Sequence, residues 1–341
     1  MHFGVFDHVD LAGIPIAQQL EERLRLVEQY DRDGFYAYHL AEHHGTPLGM
    51  APSPNLLLAA IAQRTQRLRF GALVTVLPLY HPIRLIEEIV TLDHMSGGRY
   101  QLGVGRGASP IETSFYQVDP HTSRARFAEL LEIVLAGLTS DTLTYHGDHY
   151  VIDEVPMMVK PLQRPYPPLW FGASAPDRAA WAAQRGMNIV SLLPADMTRP
   201  ITDRFRQEWD AMGRRSDELP FMGINRSIVI ADTERDAMRS ANRAFRPWLD
   251  SLKHLWVAKG IPFPPIVPAD SFEEWHRKGG AFAGTPEGAR EYVASQTEQA
   301  GVTYLAADFA FGDMTFHEAS RSAELFAREV MPIFAATTAA T

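Results

Sequence analysis

Two short groups of polar residues follow apolar runs of the chain, and their residue types suit chemistry. One group is Glu42-His43-His44, and the other is Gly105-Arg106-Gly107. If these runs are strands of a parallel barrel, their carboxyl ends converge on the one face where active sites form. A histidine beside a carboxylate suits general acid–base catalysis, whereas an arginine between glycines suits the binding of an anion. The pattern therefore predicts an active site that uses a histidine and binds an anionic group.

The histidine pair has two interpretations. A histidine here can move protons while a neighbouring carboxylate such as Glu42 holds one tautomer of its ring. Alternatively, the histidine is structural and bonds to the backbone. No metal site is predicted, because the sequence has neither an HxxxH nor an HxH spacing here, and no nearby carboxylates complete a ligand set.

The segment Gly103-Val104-Gly105-Arg106-Gly107 matches half of a dinucleotide-binding fingerprint. It lacks the third glycine at the required spacing and the acidic residue that ends the following strand, so a Rossmann site is not predicted. Glycines that let the backbone approach a ligand, together with an arginine that pairs with a phosphate, explain the segment more economically. Arg124, at the start of an amphipathic helix, can reach the same anion or can be a surface arginine.

A third group, Ala173-Ser174, stands between an apolar run and a predicted helix that begins near Pro176. Exposed N–H groups at a helix N-terminus and a serine hydroxyl can bind an anion. The alternative is that Ser174 only caps the first turn of the helix.

Short apolar runs alternate with stretches of helical periodicity along the whole chain, which is typical of parallel strands buried on both faces. This alternation predicts a (β/α)8 TIM barrel with insertions that forms a single domain over residues 1–341. A doubly wound sheet is the alternative. Residues 142 to 152 are predicted to form a small β-excursion. The predicted barrel strands are 3–6, 35–40, 68–76, 100–104, 169–172, 188–193, 223–231 and 302–307.

Residues 257–284 interrupt the alternation, because prolines and glycines replace the periodic pattern. An irregular insertion of this length is usually a lid or a binding loop. Aromatic residues in and before it can form an apolar substrate wall or ordinary packing; they are Trp248, Trp256, Phe263, Phe272 and Trp275.

The composition excludes several classes of protein. A net charge of −9 without a block of lysines and arginines argues against a nucleic-acid surface. The absence of cysteine excludes disulfides and thiolate chemistry. No apolar run reaches the length of a membrane span, and the first residues do not form a signal peptide. We therefore expect a cytoplasmic protein that contacts neither nucleic acid nor membrane.

Several longer motifs resemble the bacterial luciferase-like flavin monooxygenases, and the luciferase catalytic subunit in particular. They are AEHH at 41–44, VLPLYHPIRLIEEIVTLDHMSGGRY at 76–100, VGRG at 104–107, Ser123-Arg124, the segment from Ser174 to Ala183, GTPEGA at 284–289, AGV at 300–302 and VMPIF at 330–334. The resemblance covers most of the chain and is weakest over 257–284. It implies a luciferase-like TIM barrel, in agreement with the strand count.

The resemblance also implies roles for individual residues. His43 matches the catalytic histidine of the family. Arg106 and Arg124 would pair with the phosphate of FMN, aided by Ala173 and Ser174. The bond Leu73–Val74 matches a non-prolyl cis peptide that lies beneath the isoalloxazine ring.

The activity implied by the resemblance is that of a two-component monooxygenase. Reduced FMN from a separate flavin reductase, a transient partner, would react with O2 to form a C4a-hydroperoxide that oxygenates a small apolar substrate. A homodimer is expected. Gly105 replaces a cysteine of the luciferase subunit, and 257–284 is rewritten, so light emission from an aldehyde is not expected. The alternatives are a deazaflavin-dependent oxidoreductase of the same superfamily and a non-catalytic flavin-binding protein.

Overall fold

The computed structural model describes residues 1–264 and 269–335. In these residues nine parallel strand segments form a nearly closed barrel, a two-stranded hairpin lies outside it, and one further strand extends its rim. The strands are β1 His2–Asp7, β2 Ala37–Leu40, β3 Arg69–Ala72, β4 Thr75–Val76, β5 Leu102–Gly105, β6 Thr142–His146, β7 Val151–Pro156, β8 Leu169–Gly172, β9 Asn188–Ser191, β10 Met222–Ile230, β11 Ala281–Gly284 and β12 Tyr304–Asp308.

Helices connect the strands and cover the outside of the barrel. They are α1 Ile16–Asp33, α2 Pro54–Arg64, α3 Pro82–Met95, α4 Pro110–Phe115, α5 Ser123–Thr139, α6 Pro176–Gln184, α7 Ala195–Ala211, α8 Glu234–Ala258, α9 Phe272–Arg277, α10 Pro286–Ala300, α11 Phe316–Leu325 and α12 Met331–Ala335. None of the described helices is both long enough and apolar enough to cross a membrane.

Around the barrel the strands follow the order β3, β2, β1, β12, β10, β9, β8, β5 and β4. Because β3 and β4 are two segments of one interrupted strand, the barrel has eight strand positions. It closes through a parallel bridge between Phe70 and Tyr100 and through the pairing of Thr75 with Val104. The prediction of a (β/α)8 barrel is confirmed, and so is the hairpin near residues 142 to 152.

The structure differs from the sequence prediction in three places. The predicted strand 68–76 is broken into β3 and β4, and the Leu73–Val74 bond between them is cis. Residues 257–284 are not irregular throughout, because α9 and β11 form in their second half; residues 265–268 lie outside the described part of the chain. The short helix α4 was not predicted.

Aromatic and polar side chains fill the inside of the barrel. Trp170 and Tyr304 lie there with ring centroids 4.9 Å apart. The Trp170 indole N–H donates to Gln101 Oε1 at 2.7 Å, and His39 Nε2 lies 2.8 Å from the Tyr304 hydroxyl. Burial lowers the pKa of His39 to about 3, so its ring is neutral at physiological pH. The barrel therefore has a packed floor beneath its mouth.

Glycines allow β3 and β5 to approach each other where the barrel closes. A Cβ atom on Gly103 would lie 2.0 Å from the backbone oxygen of Ala72, and one on Gly71 would lie 1.9 Å from that of Gln101. A backbone oxygen cannot rotate away as a flexible side chain can. Closure at this seam therefore requires residues without a side chain.

We expect Gly103→Ala to lower the free energy of unfolding in urea by at least about 1–3 kcal/mol, because the methyl group overpacks a seam made of backbone atoms. Gly172→Ala is the matched control in β8, since its Cβ would meet no atom within 4 Å. That variant should change stability by no more than about 0.5 kcal/mol. Equal effects of the two substitutions would contradict the close approach.

Candidate active site

The loop after β2 is attached to β4 by Glu42. This carboxylate is 5% exposed. It accepts a hydrogen bond from the backbone N–H of Val76 at 2.8 Å and lies 2.9 Å from His44 Nε2. The other ring nitrogen of His44 lies 2.8 Å from the hydroxyl of Tyr116. Both nitrogens of His44 therefore have partners, and this residue takes the structural role considered for the pair.

His43 is held by a carboxylate that the sequence analysis did not identify. Its Nδ1 lies 3.2 and 3.3 Å from the two carboxylate oxygens of Glu112. Glu112 Oε2 also accepts the backbone N–H of His44 at 2.7 Å. With Nδ1 donating to Glu112, Nε2 of His43 is left as the atom that can accept or deliver a proton.

Glu112 belongs to α4, and the sequence does contain a signal for that helix. Ser109 precedes Pro110, and Glu112 follows three positions after the serine, which is the pattern of a capped helix start. In the structure the Ser109 hydroxyl accepts the backbone N–H of Glu112 at 3.3 Å. The cap fixes the start of α4 and thereby places the carboxylate against His43.

A second histidine, His8, stands beside His43 and was also missed. The two ring centroids are 5.6 Å apart with planes inclined by 30°. Burial lowers the pKa of His8 to about 3, and the neighbouring His43 adds to this lowering. Its Nδ1 is buried and has no hydrogen-bond partner among the described residues. The available signal was its position one residue after the end of β1.

A network of buried charges supports the end of β1. Arg23 Nε lies 3.0 Å from Asp7 Oδ2, with both side chains at most 5% exposed, and the Tyr38 hydroxyl donates to the same carboxylate at 3.0 Å. Burial raises the pKa of Asp10 to about 7. Burial, together with nearby Asp7 and Asp10, also raises the pKa of Asp308 well above its usual range. The guanidinium of Arg23 thus acts on all three carboxyl groups, and burial favours the neutral form of Asp308.

The residues predicted to bind the anion lie on the opposite side of the mouth. Arg106 directly follows β5, and the pairing of Val104 with Phe171 on β8 brings it alongside Ala173 and Ser174. Arg124 lies one turn before a phenylalanine of α5 that packs on β8, the ring pair being Phe127 and Phe171 at 6.4 Å. These four residues are therefore brought to one edge of the barrel.

The two arginines at this edge are available for a ligand. Arg106 and Arg124 are exposed, and within residues 1–264 and 269–335 neither forms a hydrogen bond or an ion pair. Ser174 is also exposed, and α6 is capped by Ala175 instead, so the capping alternative for Ser174 is wrong. An edge with two unpaired guanidinium groups and a free hydroxyl can bind a phosphate.

Beside this edge lies the interrupted strand. The cis bond Leu73–Val74 agrees with what the resemblance implied for this position. Gly105 packs against it so closely that a Cβ atom would lie 2.2 Å from Val74 Cγ2. The missing side chain at Gly105 leaves room for Val74 directly before Arg106.

A cavity of about 110 Å³ opens at the mouth between β1, β9, β10 and β12. Two aromatic residues from the group singled out in the sequence line it. Trp248 and Trp275 stack there with centroids 5.2 Å apart and planes inclined by 11°. Phe272 packs in the core, and Trp256 contacts Phe263 instead, so the aromatic group divides between wall and packing. The remaining lining residues are Phe6, His8, Leu192, Pro194, Asn225, Arg226, Ser227, Leu252, Lys278, Gly280 and Asp308.

The comparison with protein-family models decides the assignment. A model described as luciferase-like monooxygenase matches residues 1–304. The chain belongs to the luciferase-like monooxygenase family. Membership makes the protein an oxidoreductase and agrees with a barrel whose mouth carries a histidine held by a carboxylate and two unpaired arginines.

Individual relatives are similar over nearly the full length. The chain is 42% identical to the uncharacterized protein y4wF of Sinorhizobium fredii, over 96% of each chain. It is 25% identical to the oxygenase component of the flavin-dependent trigonelline monooxygenase of Acinetobacter baylyi, over 98% of this chain and 96% of the relative.

Solved structures of the family share the fold. Monooxygenase RslO1 of Streptomyces bottropensis superposes with a TM-score of 0.88 at 25% identity, covering 98% of this chain and all of that one. The oxygenating constituent of 3,6-diketocamphane monooxygenase of Pseudomonas putida, in complex with FMN, has a TM-score of 0.78 at 20% identity. The match covers 97% of this chain and 98% of that one. The coenzyme F420-dependent tetrahydromethanopterin reductase of Methanopyrus kandleri gives 0.72 at 18% over 98% and 99%.

We expect the ring signals of His8 in NMR spectra to show no titration between pH 8 and pH 5, because its lowered pKa of about 3 keeps the ring neutral throughout. A spectrum of His8→Asn assigns the signals. An inflection near pH 6.5, the value of an exposed histidine, would contradict the burial of the ring.

Proposed function

We propose that the protein is the oxygenase component of an FMN-dependent two-component monooxygenase. It would use reduced FMN and O2 to oxygenate a small organic molecule with a largely apolar body. The arrangement at His43 carries the proposal, because a histidine oriented by Glu112 stands at a barrel mouth that also has an anion-binding edge. The trigonelline monooxygenase relative is named flavin-dependent, and a solved relative contains FMN.

The residues at the barrel edge fit the phosphate of FMN. Arg106 and Arg124 supply positive charge that no described carboxylate neutralises, and Ser174 supplies a hydroxyl. The ring would then extend over the Leu73–Val74 bond, beside Gly105. Bound reduced FMN supplies the electrons that activate O2.

His43 is the residue that we assign to proton transfer. The Nδ1–H of His43 donates a hydrogen bond to the carboxylate of Glu112. This leaves Nε2 as the atom that exchanges a proton with the reacting molecule. Neutral His8 lies beside it, with ring centroids 5.6 Å apart. The packed aromatic floor and the Trp248–Trp275 wall limit the water that reaches the mouth.

A flavin reductase is the transient partner that this proposal requires. The name of the trigonelline relative, an oxygenase component, supports it. Because reduced FMN is delivered and released, its anchoring edge must remain accessible, and the exposure of Arg106 and Arg124 meets that requirement. A cytoplasmic location fits such a supply of reduced flavin and is part of the proposal.

We also propose a homodimer. Exposed apolar side chains lie together on one flank of the barrel. Met158, Val159 and Leu162 are 87%, 56% and 51% exposed, and Met95 at the end of α3 is 40% exposed. The two segments are joined by the bond of His94 Nε2 to the backbone oxygen of Lys160 at 2.8 Å. A second copy of the same flank would cover these side chains, in keeping with the isologous contacts of most dimers.

Oxygenated product should form only when chemically reduced FMN and O2 are both supplied, because the proposed reaction takes its electrons from reduced FMN. Stopped-flow mixing of the anaerobic complex with oxygenated buffer, followed by product analysis, measures this. His43→Ala should lower turnover by about 10²–10⁴-fold, as for a lost general acid–base, while His254→Ala on the outer face of α8 should not. Anaerobic hydride transfer with reduced F420 would instead establish the deazaflavin alternative, and full turnover by His43→Ala would remove the role of His43.

Arg106→Ala should weaken the binding of reduced FMN by about 1.5–3 kcal/mol, because it removes a charged hydrogen bond to the phosphate. Anaerobic titration gives the dissociation constant. Arg235→Ala, an exposed arginine on α8, is the control and should bind FMN as the unmodified chain does. Unchanged affinity in Arg106→Ala would show that the phosphate lies elsewhere.

A further inference from the structure

The cavity lies across the mouth from the edge proposed for FMN. In the order of strands around the barrel, β10 stands four positions from the interrupted strand β3–β4 in either direction, which is diametrically opposite. Residues 225–227 of β10 line the cavity, whereas Leu73–Val74 belongs to the far side. A ligand in the cavity therefore faces the flavin ring instead of replacing it.

The size of the cavity sets the size of the group that enters it. A closed protein cavity of about 150 Å³ takes up benzene, so a cavity of about 110 Å³ that is open to the mouth suits a group of about one ring. The stacked pair Trp248–Trp275 presents a flat aromatic wall to this space. A planar ring packs against such a wall better than a puckered one, because its whole face makes contact.

Arg226 gives the cavity an unusual charge. Arg226 is 1% exposed, and its guanidinium donates to Gln296 Oε1 at 2.8 Å and to the backbone oxygens of Asn225 at 2.7 Å and Leu193 at 3.1 Å. It also hydrogen-bonds to the hydroxyl of Tyr292, so all of these partners are uncharged. No described carboxylate acts on this buried cation. A buried charge without an opposite charge is costly, and a bound anion would relieve the cost.

The other ionisable groups of the cavity wall do not cancel this charge. Asp308 is the only carboxylic acid among the described lining residues; burial and the neighbouring Asp7 and Asp10 raise its pKa, which favours its neutral form. His8 is neutral. Lys278 is paired with Glu274 at 2.7 Å, so it adds a smaller attraction for anions at the entrance.

Two polar atoms in the same wall also have no protein partner. Trp248 Nε1 and His8 Nδ1 are buried without a hydrogen bond within the described part of the chain, and their rings are 6.3 Å apart. The indole nitrogen can only donate. A ligand with acceptor oxygens would therefore satisfy this donor, and a His8 tautomer protonated on Nδ1 would serve the same ligand.

We propose that the cavity is a substrate site for a small planar aromatic carboxylate, whose acid group pairs with Arg226 and whose ring lies against Trp248 and Trp275. The proposal rests on the oxygenase function above and names its class of substrate. A ring bound there would lie beside His8, whose ring centroid is 5.6 Å from that of His43. Substrate, proton carrier and flavin would then meet at the centre of the mouth.

The test measures the equilibrium binding of three probes to the full chain, with and without FMN. Tryptophan fluorescence and calorimetry give the dissociation constants. Benzoate carries both the planar ring and the charge, benzamide lacks the charge, and cyclohexanecarboxylate lacks the planar ring. We expect benzoate to bind about 10–100-fold more tightly than benzamide, as for a charge-assisted pair, and more tightly than cyclohexanecarboxylate. Equal binding of benzoate and benzamide would overturn the proposal.

Variants localise the charge. Arg226→Gln should reduce the affinity for benzoate to that for benzamide, and the affinity for benzamide should not change. Because Arg226 is buried and its variant can fail to fold, Lys278→Gln at the entrance of the cavity is a second test. This variant should lower the affinity for benzoate about two- to fivefold, as for a partly exposed ion pair. Lys259→Gln, on an exposed lysine at the end of α8, is the matched control and should have no effect.

Measuring FMN binding in the same samples separates this proposal from the proposed function. A preference for benzoate that persists when FMN does not bind would support the cavity assignment and contradict the flavin function. FMN binding without any preference for benzoate would overturn the cavity assignment alone. The cavity assignment would also be overturned if Lys278→Gln and a folded Arg226→Gln both bind benzoate over benzamide as selectively as the unmodified chain does.

Discussion

The contact on which the structure depends most is the close approach of backbones where the barrel closes. Gly71 and Gly103 place strand against strand at distances that exclude even a methyl group, and Gly105 continues the seam beside Val74. A barrel built from eight strand positions has no free edge only if the last position meets the first. Here one of those positions is the interrupted pair β3 and β4, so the regular ladder is short and close packing has to complete it. The same seam ends at Arg106, and closure of the fold therefore also fixes the edge that we assign to the phosphate.

The charge states of the groups at the mouth depend on how few cations lie beneath it. Arg23 pairs with Asp7, and the nearby Asp10 and Asp308 are left without a cation of their own. Burial then favours their protonated forms, and burial likewise favours the neutral form of His8. Burial thus favours the uncharged forms of His8 and Asp308, the two ionisable lining residues other than Arg226 and Lys278. In this surrounding the guanidinium of Arg226 stands out as the charge that a ligand would meet.

The sequence predicted those features that depend on local pattern. Apolar runs located the eight barrel positions, and the polar groups at their ends located His43, Arg106 and Ser174. Features that depend on contacts between distant segments were missed. Glu112 lies 69 residues from His43 in the chain, and nothing in either segment alone reveals their contact. The second half of 257–284 looked irregular because prolines precede it and glycines interrupt it, yet Ser271 caps α9 and β11 pairs with the extended end of β10.

The division of the mouth into two halves bears on how such an enzyme can diverge. The edge of β5 and β8 is tied to barrel closure, whereas the cavity opens between β1, β9, β10 and β12, beside α8 and the segment from α9 to β11, on the side away from the seam. Substitutions at the exposed positions of the second half would therefore leave the contacts that close the barrel unchanged. A fold divided in this way would let the cavity change while the edge proposed for the flavin stays the same. Selection for a new substrate would then act on a few positions that folding leaves free.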